Sequence, residues 1–210
     1  MHDVSRAVVQ VLVIATWLLT MFAFVGGKAK SGKADATRRR DSVSRLGIFV
    51  QGIAFALSWV GPWWMFMRSS HKPRLPLWVA VVAVVLGIAG AMLVVKSVRT
   101  LGREWSLTAR VLEGHRLVTS GPYAIVRNPI YTGMWGLQLA TAIAFSSWIW
   151  WGLLPIAAAI YYLGTLIRVR REEKLLREEF GAEFDEYARR VPAIISWLLT
   201  SRPAKTSGAK

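Results

Sequence analysis

Four stretches of this chain carry no Asp, Glu, Lys, Arg or His: Ala7 to Gly27, Leu46 to Met67, Leu75 to Val95, and Asn128 to Ile167. A helix needs about 20 apolar residues to cross the hydrocarbon core of a bilayer. Backbone polar groups find no water there, so a spanning segment has to bond within itself, and uninterrupted windows of this length point to helices. The first three windows hold one span each. The fourth is long enough for two, Pro129 to Phe145 and Trp148 to Ile167, with Ser146 and Ser147 as the polar break between them. The expected fold is an all-α integral membrane protein with five transmembrane helices.

The formal net charge of +15 would on its own suit a nucleic-acid binder, but its distribution follows membrane topology instead. With five spans and the N-terminus outside, the inner segments carry seven, six and ten Lys and Arg, against four in the outer segments. Positive charge stays on the cytoplasmic side, which predicts the N-terminus outside, the C-terminus inside, and no nucleic-acid partner. Trp59, Trp63, Trp64, Trp78, Trp148, Trp150 and Trp151 all fall near the expected outer ends, as an aromatic belt would. The first window exceeds the roughly 7 to 15 residues of a signal-peptide core and is expected to remain as a span. Cysteine is absent, which removes disulfides, thiolate metal sites and cysteine nucleophiles. His2, His71 and His115 fall on different segments, so no metal site is expected. No Gly-rich motif follows a strand, which argues against a Rossmann-type domain.

Residues 1–95 form the three N-terminal spans. The linker from Gly26 to Arg45 is rich in Gly, Ser, Lys and Arg and reads as a mobile loop on anionic headgroups. Gly61 and Pro62 are expected to kink or end the second span. Gly87 and Gly90, at helical spacing, give the third span a small face for close packing. Residues 96–192 form a second unit: an extension of the third span, an ordered loop broken at Gly102, Gly114 and Gly121, the hairpin, and an amphipathic cytoplasmic helix from Arg170 to Val191 interrupted near Gly181. Residues 193–210 are a tail, disordered after Pro203.

The polar, turn-rich stretch HRLVTSGPYAIVRNPIY, His115 to Tyr131, leads straight into the charge-free hairpin. Asn128 followed by Pro129 reads as a helix start, the asparagine capping free backbone N–H groups and the proline at a position where its missing N–H costs nothing. Arg168 and Glu172, four residues apart, share one helix face where the fifth span ends. They are open to two readings, a snorkelling arginine with a paired glutamate, or a site facing the loop, with Arg168 gripping an oxyanion through its fork of donors. His115 is either solvated or a ligand contact, and Tyr123 and Tyr131 either anchor at the interface or bracket the site.

GHRLVTSGPYAIVRNPIYTG, followed about 35 residues later by RVRREEKLLREEFGAEFDEYARRVP, resembles the isoprenylcysteine carboxyl methyltransferase family and the related phospholipid methyltransferases. The resemblance spans roughly Val95 to Pro192. It implies an integral membrane enzyme that carries a methyl group from S-adenosylmethionine to a lipid-like or prenylated acceptor at the cytoplasmic face. By matched position, His115, Leu117, Val118, Tyr123, Asn128, Pro129, Tyr131 and Glu172 would hold the cofactor. Arg168 would bind the acceptor, and Arg168 and Glu172 would form the catalytic pair. Position 128 departs from the family's usual histidine, and an amide can donate a hydrogen bond but cannot carry imidazole chemistry. Two alternatives stand beside this reading: an NADPH-dependent membrane reductase of the sterol-reductase type, and a non-catalytic adaptor whose basic loops hold membrane lipids or acidic partners.

Overall fold

A computed structural model describes residues 3–31, 37–40, 43–68, 74–108, 110–112, 114–145 and 153–194. The order of elements is β1 (Asp3–Ser5), α1 (Arg6–Lys30), β2 (Thr37–Arg40), α2 (Ser44–Arg68), β3 (Arg74–Pro76), α3 (Leu77–Leu101), β4 (Arg110–Leu112), α4 (Pro129–Phe145), α5 (Leu153–Phe180) and α6 (Ala182–Arg190). Short 3-10 turns, Gly102–Glu104 and Gly121–Ala124, flank β4 and the loop that follows it. Among the described residues, α1 and α3 with its extension to Glu104 are the helices long and apolar enough to cross a membrane.

The distribution of side chains is the reverse of a water-soluble bundle. Leu12, Phe22, Val25, Phe49, Trp78 and Val85 are exposed, while Gln10, Thr20, Gln51, Ser58, Gln138 and Thr165 are buried. An outer surface this apolar suits lipid, and each of these buried polar side chains makes at least one hydrogen bond. Gln10 Nε2 donates to Ala144 O at 3.2 Å, Trp17 Nε1 to Thr141 Oγ1 at 2.9 Å, and Gln138 Nε2 to Ser58 Oγ.

Two helix crossings set the geometry, and both rest on glycine. At the α3–α4 crossing a Cβ on Gly90 would stand 2.5 Å from Gly133 O, and one on Gly133 would stand 2.6 Å from Gly90 O. The small face expected around Gly90 is thus the contact face. At the α2–α5 crossing a Cβ on Gly47 would meet Arg168 Cγ at 2.4 Å and Gly164 O at 2.9 Å. Without side chains in the way, the backbones approach closely, as in small-residue membrane contacts.

Three local expectations change. The mainly helical fold includes two antiparallel ribbons, β1 with β3 and β2 with β4. The basic linker is not wholly a mobile loop: Thr37 faces Leu112 and Arg40 faces Arg110, with a bulge between Thr37 and Arg39. Pairing with β4 supplies the backbone partners that a free loop would take from water. Finally, α2 runs through Gly61 and Pro62 to Arg68 rather than ending there, since one proline removes a single bond from a long ladder. The Ser146 and Ser147 break, Trp148, Trp150, Trp151, His2, His71 and the residues after Ile194 lie outside the described residues.

Candidate active site

α5 continues unbroken past Ile167 to Phe180, which carries Arg168 and Glu172 out of the apolar stretch on one face. Gly181, at φ 50°, then turns the chain into α6, a backbone conformation that favours glycine. The apolar side of α6 folds inward. Phe184 and Tyr187 are buried, and Tyr187 Oη donates to Tyr123 O at 2.7 Å. A second glycine, Gly121 at φ 60°, opens the Gly-Pro-Tyr turn and lies against Thr100 of α3.

These elements enclose a cavity of about 320 Å³, within the range of roughly 300–1,000 Å³ usual for small-molecule sites. All nine residues singled out by sequence line it: His115, Leu117, Val118, Tyr123, Asn128, Pro129, Tyr131, Arg168 and Glu172. The two sequence blocks are joined directly. Tyr131 Oη donates to Glu172 Oε1 at 2.6 Å, Arg168 Nη2 is 3.8 Å from the same oxygen, and the Arg168 guanidinium lies 5.0 Å from the centre of the Tyr131 ring. Burial raises the Glu172 pKa, opposed by the Arg168 charge and the Tyr131 hydroxyl. Burial also pushes the Tyr123 phenol well above its usual value, and the Glu172 charge adds to this.

Arg168 is 8% exposed, which excludes the reading of a snorkelling side chain. Its Nη1 donates to Gln51 Oε1 at 2.9 Å and its Nη2 to Leu107 O at 2.6 Å. Its buried Nε–H has no hydrogen-bond partner among the described residues. Arg168 as a residue lines the cavity, and a guanidinium beside a cavity suits an oxyanion.

His115 is not solvated either. Its Nδ1 lies 2.9 Å from Glu104 Oε2, close enough for a charge pair but not aligned as a hydrogen bond. Burial lowers the His115 pKa, the Glu104 charge opposing it. Glu104 itself is buried and lines the cavity.

The Asn128 amide is held from its donor side: Nδ2 donates to Glu173 Oε1 at 3.2 Å and to Ala193 O at 3.0 Å. The backbone N–H groups of Arg127 and Asn128 donate to Pro192 O and Ala193 O at 2.8 and 3.0 Å. Beside it, Arg127 forks onto Glu173 through Nε and Nη2 at 2.9 and 3.2 Å, and its Nη1 reaches the Ala188 and Val191 carbonyls. The start of α4 is therefore latched to the segment that follows α6. Sequence reading missed this latch, together with Glu104 and Gln51. Arg127 and Glu173 adjoin residues that were singled out, which is a usable signal; Gln51 carried none.

A family model for phospholipid methyltransferases matches residues 78–183, about half of the chain. The chain belongs to the phospholipid methyltransferase family. This family member is 34% identical over 168 residues to the cobalt-zinc-cadmium resistance protein CzcN of Cupriavidus metallidurans, covering 77% of this chain and 68% of that protein. It is 32% identical over 146 residues to the nickel-cobalt-cadmium resistance protein NccN of Alcaligenes xylosoxydans xylosoxydans, covering 66% of this chain and 61% of the relative. It is also 32% identical over 127 residues to protein-S-isoprenylcysteine O-methyltransferase B of Arabidopsis thaliana, covering 58% of this chain and 61% of the relative. Among the described residues no cluster of three or more His, Cys, Asp or Glu could hold a metal ion.

Proposed function

We propose that this chain is a multi-pass membrane enzyme that transfers a methyl group from S-adenosylmethionine to a lipid-like or prenylated acceptor, through a carboxylate, at the cytoplasmic interface. The proposal includes five spans with the N-terminus outside. The observation that carries it is the convergence of both family blocks on one cavity, joined by the Tyr131–Glu172 hydrogen bond of 2.6 Å.

The lining suits such a cofactor chemically. Glu172 offers a carboxylate to hydroxyl or ammonium groups, Tyr123 and Tyr131 offer aromatic faces to a cation, and Leu117, Val118 and Pro129 offer apolar contact. His115, whose pKa is lowered by burial, adds a polar ring. Asn128 has both amide hydrogens committed to Glu173 and Ala193, so its contribution is to hold Pro129 and Tyr131 in place. S-adenosylmethionine, when bound, supplies an electrophilic methyl group on a sulfonium sulfur.

Arg168 orients the acceptor. A carboxylate is ionised near neutral pH, so its oxygen attacks the methyl carbon without a general base. The cofactor held by these residues would supply the methyl carbon and keep the electron pair of its carbon–sulfur bond, so the chain's residues would have no proton to move. The chain then has to align the partners and exclude water. The apolar residues beside Gln51, among them Ile48 and Phe55, provide a wall for a hydrocarbon acceptor.

Thermal unfolding of the purified protein in detergent tests this reading. S-adenosylmethionine is expected to raise the melting temperature and NADPH to leave it unchanged, and Glu172→Ala and Tyr123→Ala are expected to abolish the response. Stabilisation by NADPH alone, or by neither compound, would overturn it. Mass spectrometry of lipid and protein extracts after incubation with methyl-labelled cofactor identifies the acceptor.

A further inference from the structure

α2 lies ahead of the family match, which begins at residue 78, and nothing in its sequence resembles the motif blocks that follow Val95. It still delivers one buried polar side chain to the cavity. Gln51 is 3% exposed. Its Oε1 accepts from Arg168 Nη1 at 2.9 Å, and its Nε2 donates to Thr165 Oγ1 at 3.0 Å. The Thr165 hydroxyl donates in turn to Tyr161 O at 2.9 Å. This chain of donors fixes the sense of the amide: turned the other way, its NH₂ would face guanidinium N–H groups, donor against donor.

An amide buried between membrane helices costs free energy unless both ends are bonded, and a leucine would fill the seam without that demand. The backbone is shaped for the same contact. Gly47 lies one turn before Gln51 and Gly164 one turn before Arg168, and the space above Gly47, where its Cβ would be, is taken by Arg168 Cγ. α2 thus supplies a notch for the arginine stem and an acceptor for its head.

We infer that Gln51 is a positioning residue for Arg168. Gln51 and the Leu107 carbonyl hold the two Nη atoms from different elements, and two anchors on a planar group fix its plane. The guanidinium of Arg168, which lines the cavity, is then held in one orientation. This rests on the reading of Arg168 as the acceptor-binding group. Gln51 acts through the arginine and need not touch the acceptor.

The test uses the full chain in detergent with S-farnesyl-N-acetylcysteine as acceptor probe, binding measured by calorimetry and turnover with methyl-labelled S-adenosylmethionine. Gln51→Leu is expected to weaken probe binding and raise its KM about tenfold, the scale of one hydrogen bond to a charged group. Affinity for S-adenosylmethionine and kcat should stay within about twofold, the signature of a binding rather than a chemical defect. Gln51→Glu, whose carboxylate still accepts from Arg168, should recover most of the loss. Gln51→Asn keeps an amide but is too short to reach, and should behave like Gln51→Leu, which covers the case in which the leucine variant does not fold. In an Arg168→Leu background, Gln51→Leu should add nothing. An unchanged KM in Gln51→Leu and Gln51→Asn, an equal fall in cofactor affinity, or the same loss without Arg168 would overturn the assignment while leaving the proposed function standing. Failure of the wild-type protein to bind the probe would overturn the acceptor reading and this inference together.

Discussion

The α3–α4 and α2–α5 crossings use the same device for different ends. Each brings two backbones together on paired glycines, Gly90 with Gly133 and Gly47 with Gly164. In the first, the atoms that a methyl group would strike are backbone, Gly133 O at 2.5 Å and Leu137 N at 3.0 Å. In the second, the nearest atom is on a side chain, Arg168 Cγ, with Gly164 O behind it at 2.9 Å. The α3–α4 seam is a structural joint with apolar surroundings such as Val94 and Leu137. The α2–α5 seam carries a cation and the amide that holds it. Close approach serves stability in one place and the aim of a charged group in the other.

The sharpest way to break this contrast is Arg168→Leu. Removing one partner from a buried, hydrogen-bonded charge pair costs ~2–5 kcal/mol, so methyl transfer is expected to fall by about 100-fold or more, measured with labelled cofactor. Cofactor affinity by calorimetry should change far less. If both fall together, the α2–α5 seam is a second structural joint and the contrast fails.

A paired glycine experiment comes next. Gly90→Val is expected to cost at least ~1–3 kcal/mol, the range for overpacking a tight core, and to show as reduced monodisperse yield and a lower melting temperature. Gly47→Ala should lower activity more than it lowers the melting temperature, because the first atom to move is on Arg168. Equal ratios of activity loss to melting shift in the two variants would erase the distinction.

The smallest effect is in pH dependence. Burial raises the pKa of Glu172, so the folded state holds that proton more tightly than the unfolded chain does. The stability contributed by this group is full below the unfolded pKa and is lost as pH rises through the folded value. Near neutral pH the ionised carboxylate therefore weighs against the fold. Glu172→Gln is expected to melt above wild type at neutral pH, with the gap closing in acid, while losing its response to S-adenosylmethionine. A gap that widens in acid would show that the ion pair with Arg168 outweighs burial.

What was legible in the sequence follows from which interactions are local. Charge-free windows report burial in an apolar medium whatever the packing, so the helices could be placed from residue types alone. The register of Arg168 and Glu172 is a property of one helix, and the turn at Gly121 a property of one loop. Gly87 and Gly90 marked a packing face because helical spacing brings them together before any partner arrives. The linker misled because Gly26 to Arg45 has the composition of a free loop, and its partner strand at Arg110–Leu112 lies some seventy residues away. The partners of the Asn128 amide were hidden in the same way: Glu173 and Ala193 are brought to its Nδ2 by the fold of α5 and α6.

Residue types and their spacing alone determined a mainly helical chain with long apolar helices, and the two blocks whose residues line one cavity. Only the tertiary structure decided which side chains meet: Tyr131 with Glu172, Arg127 with Glu173, and Gln51 with Arg168 across 117 positions of chain. Sequence pattern records the preference of each segment for lipid, water or helix. The pairing of a guanidinium with an amide depends instead on where two backbones cross, which is set by glycines on both helices at once.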